Sequence, residues 1–77
     1  SQALREAQEA ARAGERDAAA LRRTAAARIE AAPARLDYLE VTHPTTLEPV
    51  ARAEPGSRML VAAFVGTTRL IDNVALP

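Results

Sequence analysis

Apolar positions recur at three- and four-residue steps through the first third of the chain, then give way to alternation. Leu4, Ala7 and Ala11 form a thin stripe at helical spacing, and Ala18, Leu21, Ala25, Ile29 and Ala32 form a second. Both stretches, residues 1–13 and 17–32, consist largely of Ala, Arg, Glu, Gln and Leu, which lose little side-chain freedom in a helix. Gly14 separates them and suits the left-handed position that follows a helix. Asp17, or Glu15 just before it, is placed to accept first-turn amides and to complement the dipole of the second helix. Arg16, Arg22 and Arg23 fall largely off the apolar stripe. Pro33, which has no amide hydrogen, stops that helix.

Strand chemistry follows. Residues 35–42, 57–65 and 68–75 are rich in Val, Leu, Ile, Tyr, Phe and Thr. The connector at 43–55 contains three prolines; Thr45-Thr46-Leu47-Glu48 predicts one short helical turn, and Pro49 and Glu54-Pro55-Gly56 keep the rest irregular. Gly66-Thr67 predicts a two-residue type II′ hairpin, because glycine alone takes the positive φ of its first position at low cost. That turn sets a register in which Val65 faces Thr68, Phe64 faces Arg69, Ala63 faces Leu70, Val61 faces Asp72 and Met59 faces Val74. One sheet face then carries Met59, Val61, Ala63, Val65, Leu70 and Val74 and is expected to lie under the helices. The other carries Leu60, Ala62, Phe64 and Ile71, interrupted by Arg69 and Asn73. It is too apolar for an ordinary solvent face and is expected to dock against a neighbour. The predicted class is α+β: two N-terminal helices packed on a three-stranded antiparallel sheet in two layers, one domain over 1–77. The order of the first strand relative to the hairpin stays open.

Size and composition restrict the function. A chain of 77 residues is one domain at most, and it buries only about 60–65% of its unfolded surface. There is no cysteine, so neither a disulfide nor a thiolate zinc site staples it. One Phe, one Tyr and no Trp exclude a large aromatic core. Ten basic residues, all arginine, balance ten acidic ones, which argues against a nucleic-acid or anionic-membrane surface. No apolar run approaches the roughly 20 residues of a membrane span, and no signal peptide is visible. The chain opens on Ser1 and reads as a piece of something longer.

The residues with chemical potential do not converge. His43 is the only histidine, lies before Pro44 at a strand end and reads as a loop residue at the start of a turn. Asp72 falls inside a strand on the more apolar face and needs an arginine or backbone amides; Arg69 points to the opposite face. Arg69 and Asn73 share a face at a separation of roughly 13 Å, suited to contacts with a neighbouring domain or to a solvated rim. Asp37, Glu40, Glu48 and Glu54 read as solvated surface, as does the Arg22-Arg23 pair. The three glycines, Gly14, Gly56 and Gly66, are isolated, so no loop cradles a phosphate. Ser1 and Ser57 have no base beside them. No catalytic, cofactor-binding or metal-ligating residue is assigned.

Taken in order, the segments resemble the C-terminal end of the pantothenate synthetase (pantoate–β-alanine ligase) family. The resemblance rests on the Leu4-Arg5 helix with its Gly14 break, on Arg35-Leu36-Asp37-Tyr38-Leu39-Glu40-Val41, and on Pro44-x-Thr46-Leu47-x-Pro49. It ends with Leu60-Val61-Ala62-Ala63-Phe64-Val65-Gly66-Thr67-Thr68-Arg69-Leu70-Ile71-Asp72-Asn73. It covers essentially the whole chain and only about the last quarter of such an enzyme.

The resemblance implies a cytoplasmic, ATP- and Mg²⁺-dependent ligation in which pantoate is adenylated and the amine of β-alanine displaces AMP. Its nucleotide motifs, His-x-Gly-His and a Met-Ser-Ser-Arg-Asn-like loop, are absent here, so no residue is assigned to ATP, pantoate or Mg²⁺. The implied role is a lid that closes on a separate N-terminal nucleotide-binding domain and shields the adenylate from water. The fragment alone is expected to be inert and to bind neither nucleic acid nor membrane. His43 departs from the Asp usual in the family before this proline, which predicts a weaker cap unless Thr45, Thr46 or water substitutes. The alternative is a stand-alone protein-interaction or dimerisation module built on the apolar second sheet face.

Overall fold

A computed structural model describes residues 1–77. Two helices, α1 (Gln2–Arg12) and α2 (Ala18–Glu30), precede three strands, β1 (Arg35–Thr42), β2 (Arg58–Val65) and β3 (Thr68–Ala75). The strands form one antiparallel sheet with β2 in the centre. Both helices lie on one face, packed against each other, with α2 over β1 and α1 over β3. This is the two-layer α+β arrangement expected, and it resolves the open strand order as β1-β2-β3.

Local chemistry sets the helix ends. The Glu15 amide donates to Ala10 O and the Gly14 amide to Ala11 O, both at 3.0 Å, the paired closure of a Schellman motif. Gly14 supplies the required positive φ of 114°. Asp17 Oδ1 accepts from the Ala19 amide at 3.1 Å, while Glu15 Oε2 accepts from the Asp17 amide at 3.3 Å. Both carboxylates named from sequence therefore act at this junction.

At the hairpin Gly66 has φ 61°, and Thr67 is not among the positive-φ residues, which matches type II′ and excludes type I′. The β2–β3 register is the one the turn dictates, from Val65 opposite Thr68 to Met59 opposite Val74. β1 is less regular. Its pairing shifts between Leu36 and Tyr38, so Asp37 is an extra residue on that strand. The bulge keeps Leu36, Leu39 and Val41 opposite residues of the helix-covered face and Tyr38 and Glu40 opposite residues of the other.

The core is built from small residues on the helices and larger ones on the sheet and tail. Ala7, Ala11, Ala18 and Ala25 are fully buried with Leu4 and Leu21 against Val41, Met59, Val61 and Leu76. Alanine at these positions lets both helices approach the sheet closely, the condition for close packing in so small a domain.

One end of the sandwich is sealed. The connector runs beside the α1–α2 loop, with Ala18 N donating to Ala51 O at 3.0 Å and Ala53 N to Arg16 O at 2.8 Å. The tail folds over it, with Leu76 N donating to Ser57 O at 2.7 Å and Gly56 N to Leu76 O at 2.9 Å. Arg16 ties these segments together. Its guanidinium donates to Ala53 O at 3.0 Å, Pro77 O at 2.6 Å and Ala11 O at 3.3 Å. One side chain thus holds the C-terminus of α1, the connector and the end of the chain.

Thr42 is almost fully buried and its Oγ1 has no partner. Two stability changes of opposite sign are expected in urea unfolding at unchanged slope. Arg16→Met should destabilise by about 2–3 kcal/mol, because three carbonyls lose a charged donor. Thr42→Val should stabilise by about 1 kcal/mol by replacing an unpartnered hydroxyl with a methyl.

Candidate functional site

Titratable side chains do not gather into a reaction centre. No group of three His, Cys, Asp or Glu side chains is placed to hold a metal ion. Asp37, Glu40 and Glu54 are each spent on an arginine: Asp37 on Arg69 at 3.0 Å, Glu40 on Arg22 at 3.3 Å and Glu54 on Arg52 at 3.0 Å. These residues do not fit a Mg²⁺ or phosphate site. No helix is long and apolar enough to cross a membrane. What the fold presents instead is surface.

The sheet face away from the helices is more self-contained than its sequence implied. The bulge turns Asp37 and Tyr38 toward the same side, where Arg69 bonds Asp37 Oδ2 and lies 5.8 Å from the Tyr38 ring centroid. The Arg35 guanidinium sits 4.6 Å from the Phe64 centroid, and Arg58 bonds Asn73 Oδ1. Ala62, beneath these side chains, is fully buried. Arg69 and Asn73, suited by spacing to a neighbouring domain or to a solvated rim, are each engaged across the sheet.

Exposed apolar side chains lie at the hairpin end on both sheet faces, Ile71 at 62% on the outer face and Val65 and Leu70 on the helix-covered one. Val65 is 45% exposed and Leu70 54%, although both lie on the face assigned to the helices. They line a cleft of about 460 Å³, with Ser1 and Ala3 of the α1 entry on one side and Ile29, at the end of α2, and Ala32 beyond it on another. Most of its lining is apolar. The end opposite the Arg16 junction is therefore open.

Asp72 stands at the cleft edge. Its Oδ2 accepts from the Ser1 α-ammonium at 2.9 Å and its Oδ1 from the Asn73 amide at 2.8 Å. The bond from the ammonium, then the Asn73 amide, hold the carboxyl below its ordinary value of 3.8; attraction to the ammonium and Arg5 adds to this, and burial opposes it. Its partners are a backbone amide and the chain's own terminus, as its distance from Arg69 required.

His43 itself forms the cap before the proline. Its Nδ1 accepts from the Thr45 amide at 3.1 Å and the Thr46 amide at 3.2 Å. The imidazole thereby does what an aspartate carboxylate does before a proline, and needs no substitute from threonine or water. A ring that accepts at Nδ1 is neutral and carries its proton on Nε2. Leu47 N closes the turn on His43 O at 3.1 Å, and Leu47 itself takes φ 60°. Sequence reading missed two features: the Arg16 junction, whose partners are backbone carbonyls with no sequence signature, and the imidazole cap.

With this geometry in hand, the sequence matches the family described as Pantoate-beta-alanine ligase over residues 1–75. It is 66% identical to the pantothenate synthetase of Anaeromyxobacter dehalogenans, aligning over all of this chain and 27% of that relative. It is 45% identical to the Myxococcus xanthus pantothenate synthetase, over 99% of this chain and 27% of the relative. The fold superposes on the crystal structure of the Thermus thermophilus enzyme with a TM-score of 0.89 at 36% identity, covering 99% of this chain and 28% of that one. The chain thus spans about a quarter of the length of these relatives.

Two effects are expected, one of pH and one of the cap. Because the Asp72 carboxyl is depressed on folding, its stabilisation is complete above the unfolded value and is lost as pH falls through the folded one. Urea midpoints of the 77-residue chain between about pH 2 and pH 6 should lose part of their acid dependence in Asp72→Asn. An unchanged profile would remove this role. His43→Ala should uncap the Thr45 and Thr46 amides, read as faster hydrogen exchange at both, and His43→Asp should keep them protected.

Proposed function

The chain belongs to the pantoate–β-alanine ligase family, and we propose that it is the C-terminal lid domain of such an enzyme, inert by itself. The reaction of the whole enzyme is the ATP- and Mg²⁺-dependent joining of pantoate and β-alanine through a pantoyl adenylate. The observation that carries the lid reading is a match along almost the entire chain with no converged reactive groups within it. A domain that supplies no nucleophile, base or metal ligand contributes to such a reaction by position. Closing over a bound nucleotide excludes water from a hydrolysable acyl phosphate and holds the amine to its productive path.

The residues suit that task in two ways. The Arg16 junction and the paired cross-sheet side chains make the sandwich one rigid piece, as a moving lid requires. The ATP and Mg²⁺ sites belong to the separate nucleotide-binding domain, since the carboxylates here are scattered and mostly engaged with arginines or backbone amides. The partners are therefore that domain and, through it, the small-molecule substrates.

A stand-alone interaction or dimerisation module is the second reading, favoured by the exposed Val65, Leu70 and Ile71. Two measurements separate the readings. The full-length protein should release AMP only when pantoate, β-alanine and ATP are all present, and the 77-residue chain should release none. AMP release by the short chain would sink the inert-lid reading. In sedimentation, any assembly of the full-length protein should depend on contacts outside this domain; a dimer held by the 77 residues alone and equally by the whole protein favours the module.

A further inference from the structure

The cleft beside Ser1 has the shape of a missing helix segment. Two contacts fix how α1 lies on β3: the Ser1 terminus meets Asp72 at 2.9 Å, and Gln8 Nε2 donates to Ala75 O at 2.9 Å. Seven helical residues advance about 10.5 Å and three strand residues about 10 Å. Helix and strand therefore run side by side, in the same direction and at matched pace. Continued backwards, the same track carries the helix over Leu70 about one turn before Ser1. It passes Val65, opposite Thr68, after a little over two turns and reaches the Gly66-Thr67 turn after about three. The strands extend over that distance and α1 does not. Val65 and Leu70 are consequently exposed on a face that is otherwise covered.

We propose that the cleft is filled by the polypeptide that precedes Ser1 in the full-length protein, continuing α1 upstream as about two further helical turns. This rests on the reading of the chain as one domain of a longer ligase, whose relatives are several times its length. The lining selects an apolar helix face. The buried positions of α1 are Ala3, Leu4, Ala7 and Ala11. Stepping that stripe back by seven residues places apolar side chains one, four and five residues before Ser1. The four- and five-before positions fall over Leu70, and the next turn of the same stripe, about eight residues before Ser1, falls over Val65. Ser1 O already accepts from the Arg5 amide at 3.1 Å, so the helical hydrogen-bond ladder begins at the residue where the continuation joins. In the longer chain Ser1 N becomes an amide with a carbonyl partner one turn upstream, and Asp72 keeps the Asn73 amide and Arg5. The lid is then carried on a continuous helix that links it rigidly to the polypeptide entering from the nucleotide-binding domain.

The test uses the full-length protein. Its upstream sequence should show apolar residues at the three positions and no proline within two turns of Ser1; charges or proline there overturn the proposal. This chain has no cysteine, which makes disulfide trapping direct once any cysteines elsewhere are replaced. A cysteine four residues before Ser1, paired with Leu70→Cys, should cross-link within one molecule. A cooperative urea transition of the reduced variant is the control that the domain is folded. Cross-linked dimers would mean that a second copy fills the cleft, and no cross-link with an intact control would mean that another segment or nothing does. Either result overturns the proposal. AMP release is measured separately: an active ligase without the cross-link fails the helix alone, and a cross-linked but inactive protein fails the ligase reading alone.

Discussion

One guanidinium holds this domain to its shape. Arg16 gathers the end of α1, the irregular connector and the chain terminus through carbonyls that regular secondary structure leaves unpaired. Without a disulfide, and with so few large side chains, this guanidinium joins the backbone bonds and the buried Ala53 and Leu76 in closing that end. The packing above it follows. The connector presses Ala53 into the core, the tail inserts Leu76, and Leu21 and Met59 are sealed between them. Lysine could not do the same, since a single ammonium lacks the planar fork that reaches three acceptors at once.

The closed end explains why the other end matters. Small residues on both helices bring the layers together, but α1 stops where β2 and β3 continue. The apolar surface left there lies on the same face as the core and is continuous with it. It differs from the outer sheet face, where arginines cover aromatic rings and pair with Asp37 and Asn73. A rigid body with one sealed end and one open end is suited to attachment at one place and closure as a unit. That division of labour is consistent with a domain whose family membership is clear and whose own residues hold no reaction centre.

Much of this is legible in sequence where one residue type dictates one backbone conformation. Gly66 in a two-residue turn sets the whole β2–β3 register, because opposed residues in an antiparallel hairpin are fixed once the turn is fixed. Gly14 and Asp17 mark the helix junction for the same reason. The misses share a different cause. The bulge at Asp37 has no glycine or other local signal, and it alone turns Asp37 and Tyr38 together toward Arg69. Arg16 bonds backbone atoms from three distant segments, and a carbonyl carries no residue identity. His43 reads as a lesser cap because imidazole is rarely asked to accept two amides. Val65 and Leu70 read as covered because periodicity tells which side chains share a face but not how far along it the helices reach.

The claim that joins these points is that the hairpin end is exposed only when the domain is alone. Hydroxyl-radical footprinting measures it residue by residue. Leu70 and Val65 should label readily in the 77-residue chain and lose most of that labelling in the full-length protein, while Tyr38 in the same experiment serves as an outer-face reference. Equal labelling of Leu70 and Val65 in both proteins would contradict the account.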